Sequence, residues 1–251
     1  MISLADTLVP SEVGRVLLQT IVVAPTDWNP SDDPEPAERS QTVLRELLRA
    51  SATLGVRAET LTTVARQPME EIARVAQLHR CESVLLGLSE ITEGSHDTPL
   101  EGLLSRLSSD VVVLRAPKNW QLSDTQKILV PVAGRGGHDY LLARLLGSLS
   151  RMQKRQVTFL RVVPTRTPPK ELKRIKRDLN RMARDNVRGV CEREVVQSDD
   201  AVREITRRAD ENGLIILGIQ RIGPHQKLFG GFTRQIAQQT ACPIIVLSRR
   251  G

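Results

Sequence analysis

Phosphate binding is the first chemistry that residue spacing raises. The stretch LFGGFTRQ sets Gly230 and Gly231 at the opening of an amphipathic run, and GRGGHDY sets Gly134, Gly136 and Gly137 between an apolar run and the next helix-like stretch. Glycines let backbone N–H groups approach a phosphate, and a helix N-terminus favours its charge. Neither stretch has a G-x-G-x-x-G frame or a closing Lys-Ser/Thr, so each also reads as a plain turn, the second with Asp139 near a helix start. Metal and nucleophile chemistry finds less support. His79, His96, His138, His225, Cys81, Cys191 and Cys242 do not fall at ligand spacing. No Ser-His-Asp set, Cys-His set or acid–base pair can be named, so the expectation is a protein that is not an enzyme and holds no metal.

A third constellation is electrostatic. Lys170, Lys173, Arg174, Lys176, Arg177, Arg181 and Arg184 lie on one run whose apolar residues, Leu172, Ile175, Leu179 and Met182, keep helical spacing. Such a face is solvated in most proteins, but it also suits an anionic partner. Nucleic acid is disfavoured, because only 2% of the residues are aromatic and stacking platforms are scarce. An anionic lipid surface fits better, each basic side chain near it contributing about 1 kcal/mol. The charge is unevenly spread: residues 1–117 hold 10 Lys and Arg against 17 Asp and Glu, whereas residues 118–251 hold 26 against 12. This asymmetry bears on partners rather than on fold.

The elements that position these residues follow from an internal repeat. PMEEIARVAQLHRCESVLLG (68–87) resembles AVREITRRADENGLIILG (201–218), with Met69, Ile72 and Ala76 answering Val202, Ile205 and Ala209 at one offset. LEGLLSRLSSDVVVLRAP answers TRQIAQQTACPIIVLSRR, and GRVLLQTIVVAP (14–25) answers RQVTFLRVVP (155–164). The second copy is expected to alternate strands at 127–132, 156–163, 190–196, 214–219 and 243–248 with helices at 138–150, 168–187, 200–211 and 231–240. Short Val- and Ile-rich strands separated by amphipathic helices predict an α/β fold, with two tandem open parallel sheets carrying helices on both faces. The predicted domains are residues 1–116 and 127–251, joined by the polar linker 117–126.

The first copy has no counterpart of KILVPV, so its sheet is expected to lack the first strand. The expectation that follows is a piece of a longer polypeptide whose upstream residues supply that strand. The longest apolar runs, SVLLGL and LIILGI, have the length of buried strands rather than membrane spans. The N-terminal residues do not read as a secretory signal, and three scattered cysteines suggest a reducing compartment.

KILVPVAG, LIILGIQRIG and FGGFTRQIAQQTACPIIVL resemble the universal stress protein family, over nearly all of 127–248 and more weakly over 1–115. The resemblance implies a five-stranded, Rossmann-like parallel sheet per copy, pairing of copies within the chain or in a homodimer, and in some members ATP at the carboxyl ends of the strands. On that pattern, an adenine nucleotide would be held by Val132, Ala133, Gly134, Val162, Gly218, Arg221, Gly230 and Gly231. The pattern is eroded: Ala133 stands where the family has Asp, Arg221 at the second loop glycine, and Gly231 at the hydroxyl position. In the first copy Gly87 survives, while Glu90 and Asp97 make the loop acidic. The soluble tails of some bacterial cation–chloride cotransporters and amino-acid permeases are similar to this pair of domains. The expected function is therefore a regulatory or assembly domain of such a transporter, cytoplasmic and membrane-associated, with a degenerate nucleotide site and no nucleic-acid partner. The alternative is a free-standing tandem stress protein that binds ATP or another adenine nucleotide.

Overall fold

The computed structural model describes residues 1–9, 14–23, 35–88, 99–133, 139–187, 189–219 and 229–248. Its contacts cluster into two compact units, Met1–Cys81 with Thr98–Leu107, and Glu82–Asp97 with Ser108–Gly251.

The first unit holds α1 (Ile2–Thr7), β1 (Val16–Val23), α2 (Glu35–Thr53), β2 (Ala58–Ala65), α3 (Pro68–Leu78) and α4 (Pro99–Arg106). β1 and β2 form a parallel two-stranded sheet, in register from Val16 opposite Ala58 to Val23 opposite Ala65. Buried Ile2, Val16 and Val56 pack with Leu18 and Leu47 into a small core. Pro68 opens α3, where its missing N–H costs nothing. Arg106 ties α4 to α3 through Glu70 at 2.7 Å, and its carbonyl accepts from Gln77 Nε2 at 3.0 Å.

The second unit holds β3 (Ser83–Leu88), β4 (Asp110–Arg115), β5 (Lys127–Pro131), α5 (Asp139–Met152), β6 (Gln156–Val163), α6 (Pro169–Asn186), β7 (Glu192–Gln197), α7 (Ala201–Asn212), β8 (Ile215–Ile219), α8 (Gly231–Gln239) and β9 (Ile244–Ser248). These strands make one seven-stranded sheet in the order β3-β4-β9-β8-β5-β6-β7. All neighbours are parallel except β4 and β9, which run antiparallel from Val111 opposite Ser248 to Arg115 opposite Ile244. The last strands of the two repeats therefore meet in an internal seam. Consecutive residues are buried along the inner strands: Ile128, Leu129 and Val130 in β5, Ile215 and Ile216 in β8, and all of β9. Successive side chains point to opposite faces, so both faces of this sheet are covered. The expected α/β architecture, with a sheet dominated by parallel pairs, is the one observed, and the elements from β5 to β9 follow the predicted order.

Two arginines fix the loops around that sheet. Arg155, buried at the start of β6, donates from Nε to the Thr125 carbonyl at 3.0 Å, from Nη2 to the Leu122 carbonyl at 3.0 Å, and from Nη1 to the Leu149 carbonyl. It thereby holds a 3₁₀ turn at Leu122–Asp124 in the predicted linker. Arg115, at the seam, donates to the carbonyls of Cys242 at 2.9 Å, Thr240 at 2.5 Å and Ala237, which closes the C-terminal end of α8. Charge-assisted bonds to several carbonyls offset the desolvation that lowers the pKa of both guanidinium groups.

Candidate functional site

Reading the second unit along its sheet, the chain runs β5, β6, β7 in one direction and then crosses over to β8 and β9 on the other side of β5. The strand order reverses between β5 and β8, and in an open parallel sheet the crevice outside the strand ends at that point is where ligands bind. A cavity of about 230 Å³ lies there. Val132 and Ala133 from the end of β5, Val162 from β6 and Gly218 from β8 line it, so four of the eight predicted nucleotide-site residues are brought together. Gly134 and Arg221 lie outside the described residues.

Gly230 and Gly231 sit at the start of α8, as N-cap and first helical residue, beside Phe232 and Thr233, which line the cavity. Gly230 has φ −58°, so no left-handed backbone demands a glycine, and a Cβ added at either position would meet nothing within 4 Å. Neither turn geometry nor packing accounts for the pair. Its effect is to leave the first amides of α8 uncovered by side chains.

The cavity is otherwise apolar, walled by Leu142, Leu160, Met182, Ile205 and Leu247 among others, and no carboxylate lines it among the described residues. Ala133 supplies only a methyl group to its lining. One charge does face the cavity. Arg161, half-buried on β6, donates from Nη1 to the Val132 carbonyl at 2.9 Å, and burial lowers its pKa from the ordinary arginine value. An arginine stays protonated through such a shift. The sequence reading missed Arg161, whose signal is a lone cation inside the apolar run QVTFLRVV.

A second cavity, about 250 Å³, is lined by Lys127, Gln156, Thr158, Glu192, Glu194, Arg207 and Arg208. Within it Arg208 pairs with Glu194 at 3.0 Å, and Arg208 also pairs with Glu204 outside the lining. No cluster of potential metal ligands occurs among the described residues. His79 is exposed at the end of α3, and Cys81, Cys191 and Cys242 are in no disulfide among the described residues.

The basic face lies on α6. Lys170, Lys173, Arg174, Lys176, Arg177, Arg181 and Arg184 are all exposed, while Leu179 and Ala183 on the opposite side are buried. At 100° per residue, six of the seven fall within about 100° of arc, with Lys176 set apart and Glu171, Asp178 and Asp185 along one border. Arg174 pairs with Glu171 at 3.7 Å, the one ion pair of this face among the described residues.

An open parallel α/β sheet with a crevice at its order reversal defines a doubly wound module. The model of the universal stress protein family matches residues 124–248. That part of the chain belongs to the family. Among solved structures, a universal stress protein from Archaeoglobus fulgidus DSM 4304 superposes with a TM-score of 0.64 at 16% identity, covering 96% of this chain and 90% of that one. The cytoplasmic domain of a prokaryotic cation chloride cotransporter superposes with a TM-score of 0.52 at 14% identity, covering 94% and 85%. A functionally unknown protein from Pseudomonas aeruginosa PAO1 gives 0.58 at 15%, covering 94% and 83%. At these identities the likeness is one of fold. No curated protein sequence matches significantly.

Proposed function

We propose that this chain is a non-enzymatic regulatory or assembly domain of a membrane transporter, of the cation–chloride or amino-acid type, held against the cytoplasmic membrane surface by α6. Its two domains are the repeats at 1–116 and 127–251, and the transmembrane part belongs to the same polypeptide upstream. The observation that carries this reading is the α6 face, where seven exposed cations include one that is ion-paired among the described residues. No helix among the described residues is long and apolar enough to cross a membrane, so contact with a bilayer here is contact with its surface. The similarity to a transporter's cytoplasmic domain over 94% of this chain supports the choice of partner.

The test is co-sedimentation of the full chain with phosphatidylserine-containing vesicles and with neutral phosphatidylcholine vesicles. Retention is expected on the anionic vesicles alone, and it should weaken towards physiological salt, where the screening length is about 8 Å. A Lys173→Glu, Arg177→Glu, Arg181→Glu variant touches exposed positions only. It should bind on the order of 100-fold more weakly, from about 1 kcal/mol per basic residue. Equal retention on neutral vesicles, or an unchanged variant, would overturn the reading.

A second reading is favoured by the cavity at the strand ends: a free-standing stress protein that holds an adenine nucleotide through Val132, Val162, Gly218, Gly230 and Gly231. Ala133 weighs against it, because the side chain expected to contact the adenosine part is replaced by a methyl group. Calorimetric titration with ATP decides. Saturation below millimolar concentration would support this reading, and no heat of binding at that level would dispose of it.

A further inference from the structure

The two repeats treat corresponding strands differently. β6 is an inner strand, paired with β5 on one side and β7 on the other, and Val157, Phe159 and Leu160 in it are 1%, 0% and 1% exposed. Its counterpart β1 pairs with β2 alone among the described residues. Leu17, Leu18 and Ile21 are only half-buried, and Val23 is 56% exposed. The sequence of β1, VLLQTIVV, has no charge and no proline. It therefore carries none of the devices that protect a natural edge strand. The outer strands do carry them: β2 has Glu59 within an alternating polar pattern, and β7 reads EREVVQ. An all-parallel sheet is ordinarily buried on both faces, and a pair of strands is marginal by itself. β1 thus has the composition of an inner strand in the position of an edge.

Backbone parity shows which groups are left over. The Val16 amide donates to the Arg57 carbonyl at 3.0 Å, towards β2. Since a parallel strand alternates its bonding sides, the amides and carbonyls of Leu17, Gln19 and Ile21 face the other edge. In the second repeat the corresponding edge of β6 is filled by β5: the Gln156 amide donates to the Gln126 carbonyl, and the Leu160 carbonyl accepts from the Val132 amide, each at 2.9 Å. α5 links β5 to β6, and α1 stands ahead of β1 in the same order. A parallel neighbour requires a crossover of this kind.

We infer that the free edge of β1 is a strand-acceptor site. Its occupant is a parallel apolar segment of about five residues, resembling KILVP of β5, that belongs to polypeptide joined ahead of α1. It pairs with Leu17–Ile21 and adds a third strand to the β1–β2 sheet. The inference rests on strand pairing and burial, independently of the α6 face and the cavity.

Hydrogen exchange read residue by residue tests it on the chain of residues 1–251. The amides of Leu17, Gln19 and Ile21 should exchange on the order of 100-fold faster than those of Thr158 and Leu160, because an unpaired edge opens without global unfolding. Fusing a copy of residues 126–138 ahead of Met1 should slow the three amides by a similar factor. The same fusion with Leu129→Pro in the added copy should not slow them, since proline cannot sustain an inner ladder. Slow exchange of the three amides in the unextended chain would overturn the inference. So would protection that rises with protein concentration, which would mark a second copy as the occupant, or equal exchange in the two fusions.

Discussion

Arg80 and Gly213 stand at the same offset in the two repeats, each just past the end of a helix, and both adopt a left-handed backbone, with φ of 49° and 76°. Glycine takes that conformation freely, whereas a residue with a Cβ is strained by about 1–2 kcal/mol. Arg80→Gly should therefore stabilise the first unit by about 0.5–1 kcal/mol, the strain relieved less the extra freedom glycine gains when unfolded. Gly213→Ala should cost the second unit about 1 kcal/mol. Urea midpoints at unchanged slope would show both, and a loss of stability on Arg80→Gly would refute the argument. The repeat itself was legible from Met69, Ile72 and Ala76 against Val202, Ile205 and Ala209. The tasks of Arg115, Arg155 and Arg161 were not. Each borders or interrupts an apolar strand, and its carbonyl acceptors include residues distant in sequence, so no local spacing announces them.

At the scale of elements, the strands and helices from β5 to β9 were legible because each short apolar run is bounded by a helix with one buried stripe. α6 shows the limit of that reading. Its 3, 4, 3 spacing fixed which side faces the sheet, and the structure exposes all seven cations as that spacing requires. What they touch is not encoded in the helix. A solvated face and a lipid-binding face have the same composition, and the salt-dependent loss of vesicle binding in the triple charge-reversal variant separates them. The start of α8 is the converse case. The glycine pair was visible in the sequence, but the cavity's apolar walls and Arg161 come from strands β5, β6, β8 and β9 and from helices α5, α6 and α7, and needed the fold to be assembled. Ala133 was visible as well, and the structure places it in the lining of the cavity.

At the scale of the molecule, comparing KILVPV with the residues ahead of β1 raises the expectation of a missing strand, and among the described residues β1, an uncharged strand, pairs with β2 alone. The antiparallel seam of β4 with β9 was beyond periodicity, since it joins strands more than a hundred residues apart and rests on matched apolar ladders such as Val113 opposite Val246. The proposal that this chain works as part of a larger, membrane-attached polypeptide can be measured directly. An antibody raised against this chain should detect, in lysate of the native source, a polypeptide much larger than 27.9 kDa in the membrane fraction. A band near 27.9 kDa confined to the soluble fraction would contradict the account and leave the free-standing nucleotide-binding protein as the reading to pursue.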